Sequence, residues 1–196
     1  MLSLSARKQD PVTIAEEILK AAPVPMLGCE HAWIAAGALM AAVKNRGTVK
    51  VTDGQILEAL YRTRKQAIGA YCGLTGVCGI ATAIGAVFSV LLGAACPKDE
   101  ETAATMRVVS RVVGTIAAEA GPCCCKNFLR TALTLSKQLI KEHFGVDLPC
   151  RQQVTCEDSH RHPHGCRTSK CRYYPKGGIE SEVRANSQNA LFVKTP

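Results

Sequence analysis

Residues 69–97 read GAYCGLTGVCGIATAIGAVFSVLLGAACP, and the fold turns on this stretch. It lies within a run from 66 to 97 that has no charged residue, which by length alone could cross a bilayer. Its first part reads as a loop, with glycines at 69, 73, 76 and 79 around Cys72 and Cys78. The helical remainder, 80–95, is short for a span and rich in Ala, Gly, Ser and Thr. It therefore reads as a buried central helix, closed by Pro97 and packed by close approach of its neighbours, with no membrane role.

Outward from that helix, the pattern is helical on both sides. Asp10 suits an N-cap with Pro11 in the first turn, Ile14, Ile18 and Leu19 form an apolar face, and Pro23 and Pro25 stop the helix. Gly28 precedes a second helix, from about Glu30 to Val43, ended by Asn45-Arg46-Gly47. Thr52 or Asp53 caps a third, with Ile56, Leu57, Leu60 and Tyr61 on one side. Asp99, Glu100 and Glu101 open another, where acidic groups favour the positive end of the helix dipole. Gly121-Pro122 breaks the chain before a last helix, from about 124 to 143, capped by Gly145. The reading is a mostly α protein: a compact helical bundle over 1–148 around a small-residue central helix.

After Pro149 the texture changes. Residues 149–175 hold Cys150, Cys156, Cys166 and Cys171, with His160, His162 and His164 among basic residues and almost no aliphatic ones. Such a segment cannot bury a core of its own and needs a metal, or docking on the bundle, to be ordered. It reads as a Cys/His-rich, metal-stabilised module, followed by a polar tail over 176–196.

The chain has 196 residues, eleven cysteines and a net charge of +8. The opening MLSLSARKQDPV has no apolar core for a secretory signal, the cysteine count is odd, and Cys123, Cys124 and Cys125 are adjacent. These features favour a cytoplasmic protein with free thiols over a disulfide scaffold, and thiols in such numbers point to metal or redox use. The basic charge permits RNA as a partner, yet no basic stripe with interleaved aromatics supports it. A Walker loop, a dinucleotide fingerprint and a nucleophile elbow are all missing, so the sequence names no substrate.

Four constellations carry chemistry. In the module, Cys156, Cys166 and Cys171, with His160 or Cys150, supply the soft and borderline donors that a tetrahedral metal takes. Cys72 and Cys78 sit among glycines at a helix start, where free N–H groups favour a thiolate or an anion. Cys124 and Cys125 stand at another helix start beside Lys126, a setting that lowers a thiol pKa. Glu30 and His31 open the second helix and are the candidates for proton transfer. Three such helix starts can converge on one thiol-lined pocket.

Taken together, Cys72-Gly73-x-x-Gly76-x-Cys78-Gly79, Cys124-Cys125-Lys126 and the spaced Cys156, Cys166 and Cys171 resemble a family of uncharacterised bacterial and archaeal proteins, many from anaerobes. The Gly28–His31 segment is similar to that family's Gly-x-Glu-His start, and the likeness spans about 23–175. The resemblance implies a methyltransferase or radical-chemistry protein as partner and no established activity. Cys29, Cys123 and Cys150 depart from the family pattern.

Three functions follow. The preferred one is an iron–sulfur protein with ligands drawn from Cys72, Cys78, Cys124, Cys125 and the module cysteines, acting as a lyase or in sulfur transfer, with Glu30 or His31 moving the proton. The second is a zinc-stabilised adaptor built on Cys156, Cys166, Cys171 and His160. The third is a metal-free thiol redox protein using Cys124 and Cys125, or Cys72 and Cys78.

Overall fold

The computed structural model describes residues 2–119, 121–150 and 153–175, so the polar tail expected at 176–196 lies outside the described residues. Among these residues there are eight α-helices, two 3-10 turns and no strand. The helices are α1 (Leu2–Ser5), α2 (Pro11–Ala21), α3 (Glu30–Arg46), α4 (Asp53–Gln66), α5 (Tyr71–Thr75), α6 (Gly79–Leu92), α7 (Asp99–Ala117) and α8 (Cys125–Phe144).

Local chemistry sets most of the boundaries. The Asp10 carboxylate accepts from the Val12 amide at 3.0 Å and from the Thr13 hydroxyl at 2.7 Å, which starts α2. Thr52 and Gln55 form a reciprocal capping box at α4. Left-handed glycines end α3 (Gly47), α6 (Gly93) and α8 (Gly145).

The apolar run does form a buried helix, and no described helix is long and apolar enough to cross a membrane. It shares the centre with α3, in which every residue from His31 to Val43 except Trp33 is buried. That burial on all sides is what a helix apolar all round requires. Close approach is built in at Gly85, where a Cβ would lie 2.4 Å from Val109 Cγ2 of α7. The stretch 69–79, expected as loop, contains the short α5 between a left-handed Ala70 and a left-handed Gly76. One turn between two such residues is too brief to show a period in sequence.

Residues 153–175 dock on the start of α8, mainly through polar contacts. Lys126 pairs with Asp158, Arg172 reaches Glu119 at 3.1 Å, and Arg167 lies 3.6 Å from the same carboxylate. The Tyr173 hydroxyl meets Thr131 at 3.3 Å, and Tyr173 accepts the Cys156 amide at 2.7 Å. Two 3-10 turns, Ser159–Arg161 and Thr168–Lys170, shape the rest of this segment.

Candidate metal centre

Cys124 has an extended backbone (φ −134°, ψ 103°), directly ahead of α8. Successive side chains of an extended chain point to opposite sides. The three adjacent cysteines are divided accordingly. Cys123 and Cys125 line one cavity and Cys124 lines another.

The first cavity has a volume of about 540 Å³. Five thiols line it: Cys29, Cys72, Cys78, Cys123 and Cys125, together with His164 from the docked segment. Ala32, Ile68 and Ile80 supply apolar wall. Cys29 caps α3, Cys78 caps α6 and Cys125 is the first residue of α8, so three helix starts converge here. Their unpaired N–H groups and dipoles favour negative charge in the space between them. The Cys72 and Cys123 sulfurs are 3.8 Å apart.

Acidity differs among these thiols. The Cys125 thiol is lowered to about 7, chiefly because Cys123 donates a hydrogen bond to it and in spite of burial; the Gly28 amide also helps. Cys123 is pushed up strongly as the donor of that pair and by burial. Burial also raises Cys29, with Glu30 adding to the effect, and it raises Cys78. The cavity thus holds one readily ionised thiol among several that resist ionisation.

The second cavity is small, about 20 Å³, the scale of one water molecule. Cys124, Cys156, Cys166 and Cys171 line it, with Arg130 and Arg167 at its wall. The Thr168 amide donates to Cys166 Sγ at 3.3 Å, and the Asn127 side-chain amide to Cys171 Sγ at 3.3 Å. Burial raises the Cys124 thiol; the Asn127 amide and the Arg167 charge oppose that rise. Glycine is needed next to this wall. Gly121 has φ +94°, and a Cβ there would lie 2.4 Å from the Arg167 side chain.

As they stand, these side chains do not form a ready coordination shell. Among the described residues, no group of three or more His, Cys, Asp or Glu is placed to hold a metal ion. None of the eleven cysteines is in a disulfide.

A family model described as "Family of unknown function (DUF5714)" matches residues 1–174. The chain belongs to this family. No curated protein and no solved structure matches the chain. Family membership agrees with the likeness to an uncharacterised family and brings no activity with it.

The cysteines and other residues singled out in the sequence fall into separate places. Cys72, Cys78 and Cys125 meet in the large cavity, whereas Cys124 joins Cys156, Cys166 and Cys171. His160 is exposed and lines neither cavity, and neither does Cys150. Glu30 lines an apolar groove with Trp33, Leu57 and Tyr61. His31 is fully buried, with Nδ1 3.2 Å from the Gly28 carbonyl and no hydrogen-bond partner on Nε2 among the described residues. Burial, helped by Lys126 and Arg130, lowers its pKa to about 4. His31 lines neither thiol cavity. Cys29 and Cys123 are also in the large cavity. The adjacency of Cys29 to a predicted helix start was the signal that could have placed it.

Proposed function

We propose that the chain is a cysteine-ligated iron–sulfur protein whose cluster occupies the large cavity. The observation that carries this reading is five thiols from four separate segments around about 540 Å³, at three converging helix starts. That volume exceeds the needs of one ion and matches that of small-molecule sites. Cys72, Cys78 and Cys125 are the ligands of choice, with Cys29 and Cys123 as further donors. A cluster held by three thiolates leaves one iron open as a Lewis acid, which suits a lyase or sulfur-transfer reaction on a small substrate. His164 is the proton-handling group at this cavity, since it lines the space and Glu30 and His31 do not. A methyltransferase or radical-chemistry protein is the proposed partner on family resemblance alone.

Metal and sulfide analysis, with a visible spectrum, on protein purified without oxygen tests this reading. Iron with acid-labile sulfide and thiolate-to-iron absorption supports it. Protein without iron, from cells supplied with iron, overturns it.

One observation favours a second reading. Cys72 and Cys123 lie 3.8 Å apart beside the acidic thiol of Cys125. Joining Cys72 and Cys123 in a disulfide, with two electrons and two protons passing to a disulfide substrate that is reduced to two thiols, would make a thiol redox centre of the same cavity. Reversible loss of two thiols, in metal-free protein under mild oxidant, supports that alternative.

A further inference from the structure

The small cavity has a different character from the large one, and iron in the latter would leave it unexplained. Its four thiols come from two places far apart in sequence: Cys124 at the start of α8, and Cys156, Cys166 and Cys171 in the docked segment. They surround about 20 Å³, room for one ion and not for a cluster. We propose that Cys124, Cys156, Cys166 and Cys171 form a closed tetrahedral site for a single zinc ion, which locks residues 153–175 onto α8.

Several observations converge on zinc bound by four sulfurs. The Cys166 and Cys171 sulfurs already accept N–H hydrogen bonds, from Thr168 and from the Asn127 side chain. Such donors stabilise thiolates and orient them for a metal. A divalent ion with four thiolates keeps two net negative charges. Arg130 and Arg167 line the cavity and place positive charge beside it, each also paired with a carboxylate, Glu16 and Glu119.

Histidine is excluded as a ligand by its hydrogen bonds. His162 is buried at the same cavity, but its Nδ1 accepts the His164 amide at 3.2 Å and its Nε2 donates to the Cys123 carbonyl at 3.0 Å. Both ring nitrogens are used, so the imidazole is a brace that ties the segment to the three-cysteine strand. His160 is exposed on a 3-10 turn. That leaves four sulfurs; as they stand they do not form a coordination shell, and binding draws them to about 2.3 Å from one ion.

The segment also needs such a site. Its buried side chains are Cys156, Ser159, His162, Arg167 and Tyr173, and it is otherwise held by ion pairs, of which Lys126–Asp158 and Arg167–Glu119 are largely buried and the others are exposed on at least one side. Exposed pairs contribute little and buried ones must offset their own desolvation, whereas a structural zinc supplies folding free energy directly.

The test is metal analysis and X-ray absorption at the zinc edge on the full chain. The expected result is one zinc per chain with a pure sulfur shell at about 2.3 Å. A zinc shell containing nitrogen, or wild-type protein without zinc, overturns the proposal. Cys171→Ser and Cys166→Ser should lose the zinc while keeping any iron, and Cys72→Ser should do the reverse. Zinc lost with Cys72→Ser but kept with Cys171→Ser would also overturn it. Failure of the iron reading leaves these zinc outcomes intact, so the two proposals are separable.

Discussion

Cys124 and Cys125 are neighbours in the chain, yet one lines the small cavity with the docked segment and the other the large cavity between helix starts. Two sites therefore share one strand, and each can be disabled alone. Cys124→Ser should leave the large cavity intact and free the segment. Trypsin cleavage at Arg161 and Lys170 should then speed up at least tenfold, while Cys125→Ser leaves it unchanged. Equal protection in the two variants, followed on a gel, would count against a divided strand.

Gly121 is held to a left-handed φ of +94° and leaves no space for a Cβ against the Arg167 stem. Gly121→Ala meets both obstacles. Backbone strain of this kind costs about 1–3 kcal/mol, and the displaced Arg167 would no longer sit against the thiols. The expected outcome is a lower melting temperature together with faster zinc loss to a chelator. Gly114→Ala is the control, because a Cβ there meets nothing within 4 Å. If both variants behave alike, the seat of Arg167 is not set by Gly121.

His31 makes folding sensitive to acid. Its folded pKa of about 4 lies below the ordinary value of 6.5, because burial, and then Lys126 and Arg130, disfavour the charged ring, while the Gly28 carbonyl and Glu30 oppose the shift. The unfolded chain therefore binds the proton first as pH falls. Stability is complete above pH 6.5, declines between 6.5 and 4, and is flat below that window as far as this group is concerned. The full loss is about 3 kcal/mol, from one pKa unit being worth about 1.4 kcal/mol. His31→Phe removes this slope, so urea midpoints of the two proteins should converge as the pH is lowered from 7 to 4. Parallel curves would show that His31 does not carry the acid sensitivity.

The helices were legible in the sequence because their signals are local. Asp10 before Pro11, Thr52 and the glycines at 47 and 145 act within a few residues of where they stand, whereas the central helix, expected to run to 95 and close at Pro97, already ends at Leu92 on a left-handed Gly93. The buried apolar helix was legible from the uncharged run. The convergence of helix starts could be anticipated as chemistry, but the cysteines that meet there could not be read off. That depends on which side of an extended strand each thiol faces, and on a docking between residues 124 and 156–171 set by long-range contacts. A histidine among spaced cysteines looked like a ligand at His160, whereas the tertiary fold supplies Cys124 to that cavity instead. Glu30-His31 at a helix start suits proton transfer, and the burial of His31 was not legible because it depends on the elements packed around α3.

The buried Arg130 links the zinc proposal to stability. Its guanidinium grips Glu16 through two hydrogen bonds, at 2.7 and 3.0 Å, and both side chains are almost fully buried. Burial works against its charge, yet Glu16 and the neighbouring Cys156 sulfur raise its pKa. Arg130 thus stands between two anionic partners when the thiols are metal-bound. Arg130→Met would then strand both, whereas Glu16→Gln leaves the arginine paired with the thiolate site. Breaking a buried pair costs about 3–5 kcal/mol, and Arg130→Met should lie at the upper end with Glu16→Gln well below it. Removing the metal dismantles the metal–thiolate site, Glu16 is left as the partner of Arg130, and the gap between the variants should close. Thermal unfolding of both variants with and without chelator measures this. A gap that is the same in metal-free protein would mean that Arg130 serves only Glu16.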